Sequence, residues 1–244
     1  MSNVKSFIDE LKQLSNSDCF NVYVPSLDKE IKFRAFSVKQ HKDLMKSALD
    51  GVEGTLRMYK IFNDIISANS LEPVDFSIYD RTKILVDLRK QCISEIVNIL
   101  DVKYNLNDLP VFNFVFDDSK EFKYKKISAS VSLPSLETDS NITEKSILEF
   151  NKYSSEEKKI GNSLSILLVY ELMKFISTLT IEDTVIDFSE INTTDKKAII
   201  DNLPLKLIND ILDYIAKFKD YEQSLFTFSD GTKLNIDASF LSAE

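Results

Sequence analysis

Three places in this 244-residue chain carry side chains that could do chemistry. His41 is the only histidine, and a general base needs a nucleophile to activate and a group to orient it; no such constellation lies at a recognisable spacing. Val38 three residues before it and Met45 four residues after it set His41 on or beside the apolar stripe of a helix, the setting of a half-buried, hydrogen-bonded residue. Cys92 has Arg89 and Lys90 close in sequence, which could favour a thiolate, but it falls in an apolar helical stripe where a small thiol packs well. Asp117, Asp118 and Glu121 are hard-cation ligands by type, yet they lack the spaced ligands and the glycine of an EF-hand loop and read as a solvated turn. Four glycines supply neither a GxGxxG nor a Walker A loop, and Gly51 and Gly54 are too few to cradle a pyrophosphate. No catalytic, cofactor or metal residue is therefore assigned, and the runner-up reading is an enzyme of unrecognised type using His41 with nearby carboxylates.

The elements around these residues are legible from period and caps. Val4, Phe7, Ile8, Leu11 and Leu14 predict an amphipathic helix that Ser15–Asp18 ends, a candidate for docking in a partner's groove. Phe20, Val22 and Val24, then Ile31 and Phe33, alternate with polar residues around PSLDKE, which predicts a β-hairpin. Ser37 and Gln40 have capping-box spacing, opening a helix striped by Val38, Met45, Ala48 and Leu49. A second helix is predicted over 53–67. A third, opened by Ser77 and Asp80, runs to about Leu100 on the stripe Leu85, Leu88, Cys92, Ile96 and Ile99. VFNFVF, apolar on both faces, and FKYKKISASVSL predict a central antiparallel hairpin turned at Asp117–Ser119 and covered on both sides. Residues 134–142, PSLETDSNI, read as a loop or lobe boundary. A core helix over 164–179, an extended pair over 180–188, helices over 194–202 and 205–218, and a closing hairpin at Asp230–Gly231 complete the chain. The expectation is an α+β fold, mainly helical, with N-terminal, central and C-terminal hairpins. Its lobes are residues 1–133 and 143–244.

Composition narrows the function class. Apolar residues at 43% and charged residues at 28% are those of a globular protein. The net charge of −9 is uneven: residues 1–60 hold ten Lys/Arg against eight Asp/Glu, residues 181–244 six against thirteen. A broad nucleic-acid face needs the opposite balance, so a protein partner is expected. Two distant cysteines, Cys19 and Cys92, fit reduced thiols in a cytosolic compartment rather than a disulfide framework or a Cys-rich zinc site. MSNVKSFIDELKQL lacks the apolar core of a secretory signal, and no apolar run is long enough to span a membrane.

VPSLDKEIKFRAFSVKQHKDLM resembles the opening of the T4-type bacteriophage baseplate hub assembly proteins: a polar turn, a basic strand from Ile31 to Arg34, then a helix start at Phe36, Val38 and Lys39. DFSIYDRTKILVDLRKQCISEIV is similar to a second stretch of that family, carried here by Asp75, Phe76, Leu88, Arg89 and Ser94. Residues 183–241 follow the family's order more loosely. The resemblance implies a non-enzymatic phage protein, chaperone or subunit, that helps assemble the central baseplate hub of a contractile tail. Its partners would be other hub proteins or a second copy of itself, without nucleic acid, cofactor or metal. Its place would be the host cytoplasm during assembly and, for a subunit rather than an escort, the virion tail baseplate. A generic phage adaptor is the coarser alternative. The closing FTFSDGTKLNI carries no Cys-x-x-Cys pair, so the resemblance brings no zinc with it.

Overall fold

The computed structural model describes residues 4, 6, 7, 10, 18–47, 51–113, 115–152 and 162–242. Val4, Ser6, Phe7 and Glu10 are helical, with Val4 and Phe7 exposed; the remainder of the expected N-terminal helix, and Ala48 and Leu49, lie outside the described residues. The fold is α+β, and the chain divides into two compact units: residues 1–110 with 227–244, and residues 111–226. The division falls at Pro110/Val111 and Phe226/Thr227 rather than within 134–142.

The first unit opens with the expected hairpin, β1 (Cys19–Val24) and β2 (Lys29–Arg34), in antiparallel register from Cys19↔Arg34 to Val24↔Lys29. Alternation sends Val22, Val24, Ile31 and Phe33 inward, all fully buried. Helix α1 (Val38–Ser47) starts where its cap predicts: the Ser37 amide donates to Gln40 Oε1 at 2.7 Å and the Gln40 amide to Ser37 Oγ at 3.3 Å. Its buried face is Leu44 and Ser47, whereas Val38 is 71% and Met45 41% exposed. The buried face thus falls one position away from the expected stripe, on Leu44 rather than Met45. That helix, α2 (Gly51–Asn69), and α3 (Ile78–Cys92) bury Phe62, Ile65, Ile66, Ile84, Leu85 and Leu88 with the hairpin, and Phe33 meets Phe76 at 5.8 Å between ring centroids.

Helix α3 ends at Cys92, not Leu100. Ile96 and Ile99 belong to β3 (Ile96–Ile99), which pairs with β4 (Val102–Asn105) through a two-residue turn at Leu100 and Asp101. Both turn residues are left-handed (φ 50° and 65°), the geometry that matches strand twist in tight hairpins. Ser94 breaks the helix: its hydroxyl accepts from the Ile96 amide at 3.0 Å and turns the chain into a β-branched run. The C-terminal segment returns to this unit at a turn in which the Gly231 amide donates to Phe228 O at 2.9 Å. Gly231, at φ +88°, adopts a backbone that a side chain would strain. The expected closing hairpin contracts to the single bridge Thr227↔Lys233.

The second unit is built on the antiparallel sheet β5 (Ser119–Tyr124), β6 (Ile127–Ser132), β7 (Ile176–Ile181) and β8 (Thr184–Asp187), in that order. Helices α4 (Leu136–Phe150), α5 (Asn162–Phe175), α6 (Thr193–Asp201) and α7 (Leu205–Leu225) complete it. Three expectations change here. PSLETDSNI is no loop: Ser135 caps α4 by accepting from the Thr138 amide at 3.1 Å, and Leu136, Asp139 and Ile142 are buried. The core helix stops at Phe175, where β-branched Ile176 and Thr178 carry the chain into β7.

The described residues of VFNFVF do not form a strand. Phe112 meets Phe226, and Phe116 meets Tyr214, Phe218 and Tyr221 on α7, so the aromatic contacts that would face a sheet are taken by a helix. One Tyr221 hydroxyl replaces the missing ladder, accepting from the Val115 amide at 2.8 Å and donating to Asn113 O at 2.9 Å. Phe114 lies outside the described residues.

Carboxylate–ammonium pairs tie the helices of this unit. Lys174, 12% exposed, bridges Asp139 at 2.8 Å and Glu171 at 3.4 Å, and Lys219 reaches Glu171 at 2.6 Å. Glu149 accepts from Tyr170 at 2.6 Å and pairs with Lys197. Burial pushes the Glu149 and Glu171 carboxyls up, and the lysines together with the hydrogen bonds more than offset it, so both sit below the ordinary 4.5. Depressed carboxyl pKa values stabilise the fold above the unfolded-state value and lose that contribution as pH falls through the folded one.

Two outcomes are expected. The contact of Phe112 with Phe226 at 5.8 Å brings the ends of the second unit together, as in a tolerated domain insertion. Replacing residues 111–226 by a short Gly/Ser linker should therefore leave a first unit that melts cooperatively by circular dichroism, and a molten product would refute this. Urea unfolding of the whole chain between roughly pH 6 and pH 3.5 should lose stability only below about pH 4.5, with a smaller loss for the Lys197→Met, Lys219→Met double variant. An unchanged pH profile would remove these pairs from the account.

Candidate functional site

Helix α3 carries most of the second resembling stretch and two fully buried charges. At its N-terminus Ser77 and Asp80 form the capping box that their spacing predicts, with the Ser77 amide donating to Asp80 Oδ2 at 3.0 Å. Asp80 is 0% exposed and also holds the turn of the N-terminal hairpin: the Ser26 amide donates to Oδ1 at 3.0 Å and the Ser26 hydroxyl to Oδ2 at 2.5 Å. Burial raises the Asp80 pKa, against three hydrogen bonds that lower it. The carboxylate thus serves as a cap and as a clamp on the 3-10 turn Pro25–Leu27.

At the other end Arg89, 2% exposed, is the largest fully buried side chain among the described residues. Its guanidinium donates to Ile96 O of β3 at 2.9 Å, to Ser242 O at 3.1 Å and to Phe240 O, with its centre 5.3 Å from the Phe240 ring. All three acceptors are main-chain carbonyls, so the contact reads backbone position rather than partner charge. A planar fork does this where a lysine ammonium would not. The neighbouring Tyr104 hydroxyl donates to Asp230 at 2.8 Å and lies 2.9 Å from the Thr232 hydroxyl, a second tie between β4 and the returning segment. The Thr232 amide and the Tyr104 hydroxyl hold the Asp230 carboxyl below its ordinary value.

The residues singled out from the sequence divide into two sets. Phe76, Leu88 and Arg89 are buried framework, and Ser94 turns the chain behind Arg89. Phe36 is half-buried, and its backbone hydrogen bond to the Cys92 thiol partly offsets the burial that pushes that thiol up. Val38, Lys39 and Asp75 are exposed, so they stand at the surface rather than in a shared pocket. His41 does not join them in a catalytic arrangement: its Nε2 lies 3.2 Å from the Ser242 hydroxyl, which in turn donates to Met45 Sδ at 3.2 Å. Glu121 pairs with Lys123 at 3.0 Å, and Asp117 O accepts from the Tyr214 hydroxyl at 2.8 Å. Among the described residues no group of three His, Cys, Asp or Glu side chains is placed to hold a metal, and no helix is long and apolar enough to cross a membrane. The sequence reading missed the clamping role of Asp80 on Ser26. Its signal was an acid in a capping box whose partner turn, PSLD, offered a free hydroxyl and amide.

An antiparallel α+β protein whose distinguishing residues organise its framework is the class that this geometry defines. The family model for T4 bacteriophage base plate protein matches residues 19–224, and the chain belongs to that family. It is thus a bacteriophage baseplate protein. No curated protein and no solved structure matches it.

Removing either buried charge leaves partners stranded inside the first unit. Asp80→Ala orphans the Ser26 and Ser77 amides and should cost about 2–4 kcal/mol in urea unfolding. Arg89→Met should cost a comparable amount, about 3 kcal/mol, and Arg89→Lys should recover only part of it. Amide exchange at residues 237–242 should accelerate in both Arg89 variants; unchanged protection there would show that Arg89 does not hold the C-terminal segment.

Proposed function

We propose that the protein is a non-enzymatic participant in building the central hub of the phage baseplate, as an assembly factor or hub subunit. It acts by binding other hub proteins in the host cytoplasm during tail assembly. The family match over residues 19–224 carries this reading. The packing of the reactive candidates supports it: Cys92 bonds to the Phe36 backbone and His41 to Ser242. Val38, Lys39 and Asp75 are surface positions suited to contact with a partner. The acidic C-terminal third steers toward basic partners and away from acidic ones.

Co-expression with each hub protein encoded beside it, followed by size-exclusion chromatography with light scattering, tests the proposal. The expected result is co-elution with at least one of them at a defined stoichiometry. Separate elution from every folded candidate would refute it.

A further inference from the structure

The two edges of the four-stranded sheet are treated differently. Strand β5 is blunted by Lys120 and Lys123, the usual device against unwanted strand pairing. Strand β8, Thr-Val-Ile-Asp, has no lysine, proline or bulge, and its outer edge pairs with no other strand among the described residues. The Phe188 amide donates to Ser177 O at 2.8 Å, and this sets the parity of the ladder. Thr184, Ile186 and Phe188 bond inward to β7, so the amides of Val185 and Asp187 and the carbonyl of Val185 point away from the sheet. Val185 is 65% exposed. Its side chain stands on the face opposite buried Leu179, because Leu179 opposes Ile186 and Thr180 opposes Val185.

The edge strand and its flanking turns are acidic in sequence, with Lys126 and Lys196 reaching them from other elements. Residues 181–190 hold Glu182, Asp183, Asp187 and Glu190 and no Lys or Arg. Lys126 pairs with Glu182 at 2.5 Å, the Asp187 carboxylate accepts from the Ser189 amide and hydroxyl at 2.7 Å, and Lys196 lies close enough to lower the Asp187 pKa further. Asp183 and Glu190 have no ion-pair partner among the described residues.

We infer that the outer edge of β8 is a docking edge for an extended basic segment of a partner protein, which adds a fifth strand to the sheet. The residue opposite Val185 exchanges both main-chain hydrogen bonds with it and is apolar; a Lys or Arg two positions along meets Asp187. A second copy of the chain is disfavoured, because β8 against β8 would face acids with acids. The inference rests on the hub reading for the partner's identity, but its geometry does not depend on it.

The test uses two probes: each co-expressed hub protein, and a synthetic hexapeptide of alternating Val and Lys. The variants are Val185→Pro, which removes an outward amide that bonds nothing among the described residues, and Val185→Lys, which blunts the edge should the proline unsettle the hairpin. Wild type should bind a hub protein and the peptide, with Val185 and Asp187 amide resonances shifting. Both variants should keep wild-type melting and bind about ten-fold more weakly, the worth of one or two main-chain hydrogen bonds. Lys120→Ser with Lys123→Ser on β5 should bind no more weakly than wild type. Hub binding undiminished in a folded Val185 variant would overturn the docking edge and leave the hub reading standing. Peptide binding at β8 without any hub partner would do the reverse. Binding of neither probe would overturn both, and a wild-type dimer dissociated by Val185→Lys would replace the basic segment by a second copy.

Discussion

Everything in the first unit depends on where the Arg89 guanidinium finds its acceptors. A cation taken out of water costs several kcal/mol unless hydrogen bonds replace its hydration, and Arg89 offers Nη1 and Nη2 to main-chain oxygens of residues that come before and after the second unit in sequence. Ile96 O comes before that unit and Phe240 O and Ser242 O after it, so the unit is not complete until the chain has returned. The discontinuous order 1–110 with 227–244 is the topological form of that requirement. Because carbonyls on a fixed backbone accept only from defined directions, the arrangement also selects one register for the returning segment.

The same helix carries the opposite charge at its other end, and the polarity is favourable. Asp80 lies in the first turn of α3 and Arg89 in the last, the signs that complement a helix dipole. The two do not serve each other: one captures the Ser26 turn of the N-terminal hairpin, the other β3 and the C-terminal segment. A single fifteen-residue helix therefore ties the early, middle and last parts of the first unit. Two of the residues that carry the resemblance, Leu88 and Arg89, lie on this helix and a third, Phe76, lies just before it; all three are buried.

What the sequence disclosed follows from the range of the forces involved. Caps and alternation are local, so the β1–β2 hairpin, the Ser37/Gln40 and Ser77/Asp80 boxes and the Asp230–Gly231 turn were readable. The failures lie where a distant element decides. VFNFVF has strand composition, but Phe226 just past α7 takes Phe112 and α7 itself takes Phe116, and nothing within six residues announces Tyr221 as the hydrogen-bond partner. PSLETDSNI looks like a loop until Leu136 and Ile142 find a core. Ile96 and Ile99 fit the helical period of α3 and equally fit a strand, and Ser94 settled the matter in favour of the hairpin. The exposed set Val38, Lys39 and Asp75 could not be separated from the buried set by pattern, because a phase error of one residue moves a side chain from core to surface.

This separation constrains how a baseplate protein of this kind achieves specificity. Framework residues such as Arg89 and Asp80 hold the fold without saying anything about partners, since the hydrogen bonds described above stay within the first unit. Discrimination between partners has to come from groups whose main-chain or side-chain valences remain open on the surface. Exposed apolar residues are ambiguous signals, since Leu100 at 92% exposure is held in a left-handed turn that the β3–β4 hairpin needs for its own closure. A sheet edge is a less ambiguous one, because unpaired amides and carbonyls impose direction, register and spacing on whatever meets them. The contrast between lysine-bearing β5 and acid-flanked β8 is therefore informative in a way that exposure alone is not: the opposite charges at the two edges favour a basic strand at β8 over one at β5.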